Sequence, residues 1–513
     1  MNSPIDFTHF RRPPLTAALI AVLFACASQA HAATTADAVR QPFRADPARR
    51  IFAQLPPSRA ATTSAAATTI AVTNCDDDVP GSLRAAVAAA GSGDTIDLTG
   101  LTCATITLQT GAIPIKLDDL TLEGPGADAL AIDGNALDRV FFHARGGTLT
   151  LHALTVRNGR NRESGFDVAG GGCIASAGYL VLDAARVRDC YAGGEGAYGG
   201  GIYAYSLTMI GSTLSGNTGK GVHVDAGTAA FGGGAFVYAM DLRDSTVSGN
   251  LAVHEVAAGR TSYDIGAGII TVRGGTIANS IIDSNISQGR GGGIAAFNSV
   301  AISNSTVSGN IAQTEIGGGL LLRWPATALI ANSTFTANHA ATDGGGIWLG
   351  VPAAELESSL VFGNTAGSGF ANLHSPVATT ISGANNLIGS SGPDITLPPD
   401  TLNADPLLGP LANNGGPTRT HALLRGSPAV DTGNNLDDLA FDQRGTGFPR
   451  VNGVAADIGA FEQQALPAPV LQLPVPALSV WMLAALFGLI AACAHSRLPT
   501  GARRAIKPVA DQR

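Results

Sequence analysis

Asp225 beside His223, Asp241 with Asp244, and the single residues Asp264 and Asp283 are the groups in this chain whose types and spacing suit acid–base catalysis. Two carboxylates flanking one bond hydrolyse a glycoside. Several around a divalent cation, with lysine or arginine as base, eliminate across a uronide. Here the carboxylates are scattered along the chain, and His223 and His254 read as solvated residues of long loops. Asp76, Asp77 and Asp78 follow Cys75 and read as a turn. Asp442, Arg444, Asp457 and Glu462 gather late in the chain as either an ion-pair network or a calcium site, although no D-x-D-x-D-G loop accompanies them. No cysteine–histidine set has zinc spacing. No residue is therefore assigned a catalytic, cofactor-binding or metal role, and no cofactor is expected.

The elements that would position these groups are announced by a repeat. Glycine blocks stand at Gly170 to Gly172, Gly199 to Gly201, Gly232 to Gly234, Gly266-Ala267-Gly268, Gly291 to Gly293, Gly317 to Gly319 and Gly344 to Gly346. Each opens an apolar run and is followed by a serine-rich phrase such as Ser212-Thr213-Leu214-Ser215-Gly216-Asn217. Aligned, Val156, Val187, Leu214, Val247, Ile282, Val307, Phe335 and Val361 fall in one column, at steps of 31, 27, 33, 35, 25, 28 and 26 residues. Constant phrases at variable steps mean constant strands joined by variable loops.

Two residues before the column stand Ser212, Ser245, Ser280, Ser305, Ser333 and Ser359; three residues after it stand Asn217, Asn250, Asn285, Asn310, Asn338 and Asn364. Short β-branched runs between glycines are too brief for helices. The expected fold is all-β: a single-stranded, right-handed parallel β-helix with the apolar column inside and the asparagines as a structural ladder at the turns. Asparagine suits those turns because it tolerates left-handed backbone angles. Eight such coils, with two or three more before them, predict a rod of about 50 Å. The outward residues after the column are Arg157, Arg188, Ser215, Ser248, Asp283, Ser308, Thr336 and Phe362, a stripe holding one carboxylate.

The GGGI blocks and S-T-x-S-G-N phrases resemble the paired repeats of polymorphic outer-membrane proteins and related bacterial surface β-helices, and the solenoid expected here is pectin-lyase-like. Only Phe335 matches the aromatic of that family's F-x-x-N repeat. The chain has 513 residues, 65 of them glycine, with 14% charged and a net charge of −8, which disfavours nucleic acid as a partner.

From the start, Arg11 and Arg12, the apolar run Leu15 to Ala25 and Ala30-His31-Ala32 make residues 1–32 a secretory signal. Cys26 faintly resembles a lipoprotein acceptor. Residues 33–68 read as a disordered linker and 69–130 as an N-terminal cap with the first coils, including a helix from N-cap Ser82 to Gly93. This part resembles the CSLREA-type region that precedes many secreted β-helices. For an exported chain, Cys75 with Cys103 and Cys173 with Cys190 are the expected disulfides. Cys173 and Cys190 are also readable as buried thiols, with Cys173 in the column of Ile202, Ile294 and Ile347.

Residues 131–377 form the parallel β-helix repeats, and 378–463 carry Asn413-Asn414-Gly415-Gly416-Pro417-Thr418, Gly426-Ser427-Pro428-Ala429-Val430-Asp431 and Asp457-Ile458-Gly459-Ala460-Phe461-Glu462. These phrases closely resemble the choice-of-anchor Q domain, read here as a turn-rich cap on the far end of the rod. A Pro-rich spacer, 464–476, leads to an 18-residue apolar stretch, 477–494, and a basic tail, 495–513, expected to be cytoplasmic. Pro476, Leu478, Ser479 and Trp481 resemble the IPTL-CTERM sorting motif of Gram-negative bacteria. That resemblance implies a sorting protease or transpeptidase as partner; the other reading is a permanent transmembrane helix.

Two function classes remain. One is an exported, non-catalytic surface rod in the cell envelope that displays loops such as Asn217 to Phe231 and Leu251 to Asp264 to a surface glycan or protein ligand. The other is a carbohydrate-active enzyme, a polysaccharide lyase or glycoside hydrolase, which requires at least three carboxylates and a basic side chain in one groove.

Overall fold

The computed structural model describes residues 67–162, 169–194, 196–222, 230–255, 265–323, 326–464 and 480–495. The expected signal, residues 33–66, Cys26, His223, Asp225, Asp264, Pro476, Leu478, Ser479 and residues 496–513 of the basic tail lie outside the described residues.

Every coil contributes one short strand to an eleven-stranded parallel sheet. Its middle residues are the apolar column. Val156, Val187, Leu214, Val247, Ile282, Val307, Phe335 and Val361 pair in direct register, each fully buried. Ile106 and Ile132 extend the column before them and Ile388 after. Eleven strands at about 4.8 Å make a rod of about 50 Å. A 20-stranded sheet carries two further strand ranks of each coil, which fuse in Ile174–Asp183, Ile202–Ile210 and Ala235–Arg243, and an eight-stranded sheet carries the next. The expected parallel β-solenoid is therefore what forms.

The ladders explain how the corners hold. Asn217, Asn250, Asn285, Asn310, Asn338 and Asn364 are all buried. Each Nδ2 donates to the next asparagine oxygen along the stack, as Asn285 does to Asn310 at 2.9 Å and, at the end of the ladder, Asn364 does to Asn372 at 3.0 Å, and also to a column carbonyl, as Asn285 does to Val247 at 3.0 Å. The serines form a second ladder, with Ser245 N–H donating to Ser280 Oγ at 3.1 Å and Ser280 N–H to Ser305 Oγ at 3.1 Å. Side-chain oxygens thus satisfy backbone donors that the bend removes from the sheet. One expectation needs correcting. The ladder asparagines do not take the left-handed conformation; the residues just before them do, including Gly249 (φ 62°), Ser284 (φ 57°), Gly309 (φ 66°) and Ala337 (φ 57°).

The glycine blocks are required by contact as well as by angle. A Cβ on Gly234 would stand 3.0 Å from the Asn250 side chain, and one on Gly293 3.0 Å from that of Asn310. In the first coil of the series this glycine–asparagine contact is replaced. Cys173 pairs with Gly201 in register, and Cys190 takes the ladder position ahead of Asn217. Cys173 and Cys190 form a disulfide there, as Cys75 and Cys103 do at the N-terminal end. Cys173 is thus not in the column of Ile202, which Ile174 shares instead. Breaking the bridge with a serine pair is expected to cost about 3 kcal/mol of loop-closure stabilisation. Cys173→Gly with Cys190→Asn should recover part of it by extending the ladder, as read by thermal unfolding of both double variants.

At the N-terminal end, helix α1 (Leu83–Ala89) buries Leu83, Ala86 and Val87 in the same core as the coils. Ser82 caps it by accepting from Ala85 N–H at 3.2 Å, and it ends several residues before Gly93. Asp77, from the triple-aspartate turn, is a clamp. It pairs with Arg84 and accepts from Gln109 and Thr110 N–H at 2.7 and 3.0 Å.

The later segment differs from expectation in its placement. Residues through Thr396 still continue the coils, with Ile395 and Leu397 joining the core. The chain then turns back along the side of the rod as a lateral cover on the eleven-stranded sheet. Arg419 pairs with Asp283, His421 meets Ser308, Gln443 accepts from Thr306, and Asn434 meets both Asn332 and Ser358. Outward Leu360 and Leu387 pack with Leu423, Ala429, Ile458 and Phe461 in a second core. A cap confined to the rod's end would not reach Asp283, Thr306 or Ser308, which lie three and four coils before the last strand. Beneath Arg419, His421 and Gln443 the outward side chains, Asp283, Thr306 and Ser308, are small and polar, which lets another backbone lie against them.

Of the expected 477–494 transmembrane stretch, residues from Val480 on lie in helix α2 (Val480–His495), and 477–479 lie outside the described residues. Among the described residues no helix is long and apolar enough to cross a membrane. Trp481 of the sorting motif is 85% exposed on it.

Candidate functional site

The catalytic carboxylates suggested by the sequence do not meet. Asp241 lies on the long sheet, bonded to Arg243 and to Thr276 Oγ1. Asp283 lies on the eleven-stranded sheet beneath the cover, bonded to Arg419 at 2.6 Å. Asp244 turns the chain with a φ of 51°. His254 is not a loop residue; it sits in the strand Leu251–Glu255, and the other displayed segment likewise starts with a strand, Thr218–Val222.

The row that does gather titratable groups was not read from the sequence. Asp97, Glu123, His152 and Asp183 end successive strands of the long sheet and pair in direct register. Their neighbours Ile96, Leu122, Leu151 and Leu182 point into the core, so alternation turns these four outward. His152 Nδ1 lies 2.6 Å from Glu123 Oε1, and Nε2 lies 3.7 Å from Asp183 Oδ2. Asp97 accepts from the Thr99 hydroxyl and N–H, which hold its carboxyl below the usual range. A histidine between two carboxylates can pass a proton along a surface. The row is open to solvent, and among the described residues no three histidine, cysteine, aspartate or glutamate side chains are placed to hold a metal ion. A recurring signal was present: the strands T-I-D, L-T-L-E, L-T-L-H and L-V-L-D all end in a titratable residue.

The late acidic set is buried inside the cover around one ion pair, Arg444 with Asp442, while Asp457 and Glu462 accept from backbone N–H groups. Arg444 lies between the rings of Phe448 and Phe461, 3.9 Å from each centroid, and donates to Asp442 from Nε at 2.9 Å and Nη2 at 2.5 Å. Arg450, absent from the sequence reading, is fully buried and donates to the Asp457 carbonyl. Glu462 accepts from Asn452 and Asp457 N–H at 2.9 and 2.8 Å.

Burial nevertheless pushes Glu462 up to about 7. A raised carboxyl stabilises the fold while protonated, so its contribution is full below the ordinary value of 4.5 and is lost as pH rises through about 7. Glu462→Gln should flatten this pH dependence of unfolding between those limits, as measured by denaturant titration across pH.

No family model and no curated protein matches the chain. Among solved structures, the crystal structure of pectate lyase Pel9A is similar, at 14% identity, covering 77% of this chain and 96% of that one with a TM-score of 0.41.

Among the described residues, one shallow cleft adjoins the row at Asp97 and another lies away from it. One, of about 300 Å³, is lined by residues that include Val72, Cys75, Asp97 and Leu101. The other, of about 400 Å³, lies where the last coil meets the cover, among Asn385, Asp400, Asp431 and Thr432. Near it Glu357 is buried, accepting from Ala384 N–H at 2.9 Å. Burial raises its carboxyl, and Glu355, Asp400 and Asp437 add to the rise.

Proposed function

We propose that this is an exported bacterial envelope protein whose β-solenoid acts as a non-catalytic surface rod for adhesion or envelope contact. The observation that carries the reading is the fate of the carboxylates. Asp77, Asp133, Asp241, Asp283 and Asp442 are each committed to an arginine on a separate part of the surface or cover. A rod whose charges are paired off locally presents shape and loops rather than a reaction centre. Two disulfides accord with an oxidising compartment. The resemblance of the cover to the choice-of-anchor Q domain and of the tail to IPTL-CTERM supports delivery to the envelope, with the tail handed to a sorting protease or transpeptidase.

Fractionation of cells carrying a tag before Pro467 tests delivery; a cytoplasmic tag contradicts the proposal. Incubation of the purified protein with acidic and neutral polysaccharides tests the rod's inertness. Neither unsaturated uronides nor new reducing ends are expected. The second reading, a carbohydrate-active enzyme, draws on the Asp97, Glu123, His152 and Asp183 row. Release of sugar ends that disappears in His152→Ala would establish that reading and overturn the first.

A further inference from the structure

We propose that His421 is the latch of the lateral cover and that acidification releases it, baring the serine–threonine face of the rod. This goes beyond the scaffold reading, because it makes the exposed surface depend on conditions.

His421 is buried where the cover meets the coils. Its Nδ1 lies 2.8 Å from the Gly409 carbonyl, which can only accept, so Nδ1 carries the proton. Nε2 then accepts from the Ser308 hydroxyl at 2.8 Å. A neutral ring satisfies both contacts. An imidazolium does not: Nε2–H must donate to Ser308 Oγ, the serine proton must turn elsewhere, and a charge enters an interface closed to water.

The charged groups set against this ring are Asp283 from the neighbouring coil and Arg419, which precedes the ring's own strand Thr420–Leu423 and pairs with Asp283. Asp283 is buried, with Oδ2 bonded to Arg419 and Oδ1 without a hydrogen-bond partner. Burial holds the ring below the ordinary histidine value of 6.5, against the opposing pull of the Gly409 carbonyl and Asp283. The docked cover therefore binds fewer protons than the released one. Its stability from this group is present above pH 6.5 and is lost as pH falls below it. Glu357 and Glu462, both raised by burial, act in the opposite sense, so a bare pH series does not isolate the latch. His421→Gln does, because glutamine keeps a donor and an acceptor and takes no charge.

Hydrogen exchange on the full chain, corrected for intrinsic rates, would be followed in wild type and His421→Gln at about pH 7.5 and about pH 5.5. The wild-type-to-variant protection ratio over residues 281–308 and 403–464 should fall several-fold on acidification, because the released form takes up a proton that the docked form excludes. An unchanged ratio overturns the latch. Should the variant fail to dock at either pH, the wild-type ring decides, with its resonance assigned through its loss in His421→Asn. Titration at or above 6.5 in the docked chain overturns the proposal, and titration below it supports it.

Discussion

Asn310→Leu is expected to destabilise the rod by about 3–6 kcal/mol, although leucine keeps the branched shape of asparagine, because two buried backbone groups and two ladder amides lose partners. Asn310 Nδ2 donates to Ile282 O and Asn338 Oδ1, both at 2.9 Å. Its Oδ1 accepts from Asn285 N–H at 3.1 Å and Asn285 Nδ2 at 2.9 Å. Asn310 is fully buried, so water cannot take over these contacts. Ser248→Ala, on an outward position of the same sheet, should stay within about 0.5 kcal/mol. Chemical denaturation of both variants checks the pair. Equal midpoints would mean that the asparagines merely occupy the turns.

The second large effect concerns the cover. Asp442→Ala is expected to cost about 3–5 kcal/mol, since it leaves a buried guanidinium without its counter-ion. Arg444 cannot move to water while Phe448 and Phe461 lie against both of its faces. Glu462 N–H also loses Asp442 Oδ2, its acceptor at 2.8 Å. The loss should be local: limited proteolysis should cut residues 403–464 while the disulfide-bonded coils resist. Simultaneous digestion of coils and cover would mean that the two do not unfold separately.

The parts that were legible in the sequence are those the solenoid repeats. Every coil must place an apolar residue at the positions of Val247 or Phe335, and the ladders need a side-chain oxygen at each corner, so these choices recur visibly. The lateral cover was not legible because it docks through single polar contacts, such as Gln443 with Thr306 and His421 with Ser308, which leave no period. The Asp97 to Asp183 row escaped because it begins in coils without the glycine block or serine phrase, which offered nothing to align. Cys173 was misplaced by one position because its coil has cysteine where the others have the third glycine. Burial of Arg450 could not be foreseen, since nothing local to that residue distinguishes it from an exposed arginine.

Spin-label distances along the eleven-stranded sheet test the stacked rod most directly. Thr107 and Ser215 are four register steps apart and Thr107 and Ser248 five, through Asp133, Arg157 and Arg188. Backbone separations of about 19 Å and about 24 Å are predicted, the difference being one coil. Narrow distributions offset by that single rise would agree with the account, whereas broad ones, or a Ser248 distance no longer than that of Ser215, would contradict it.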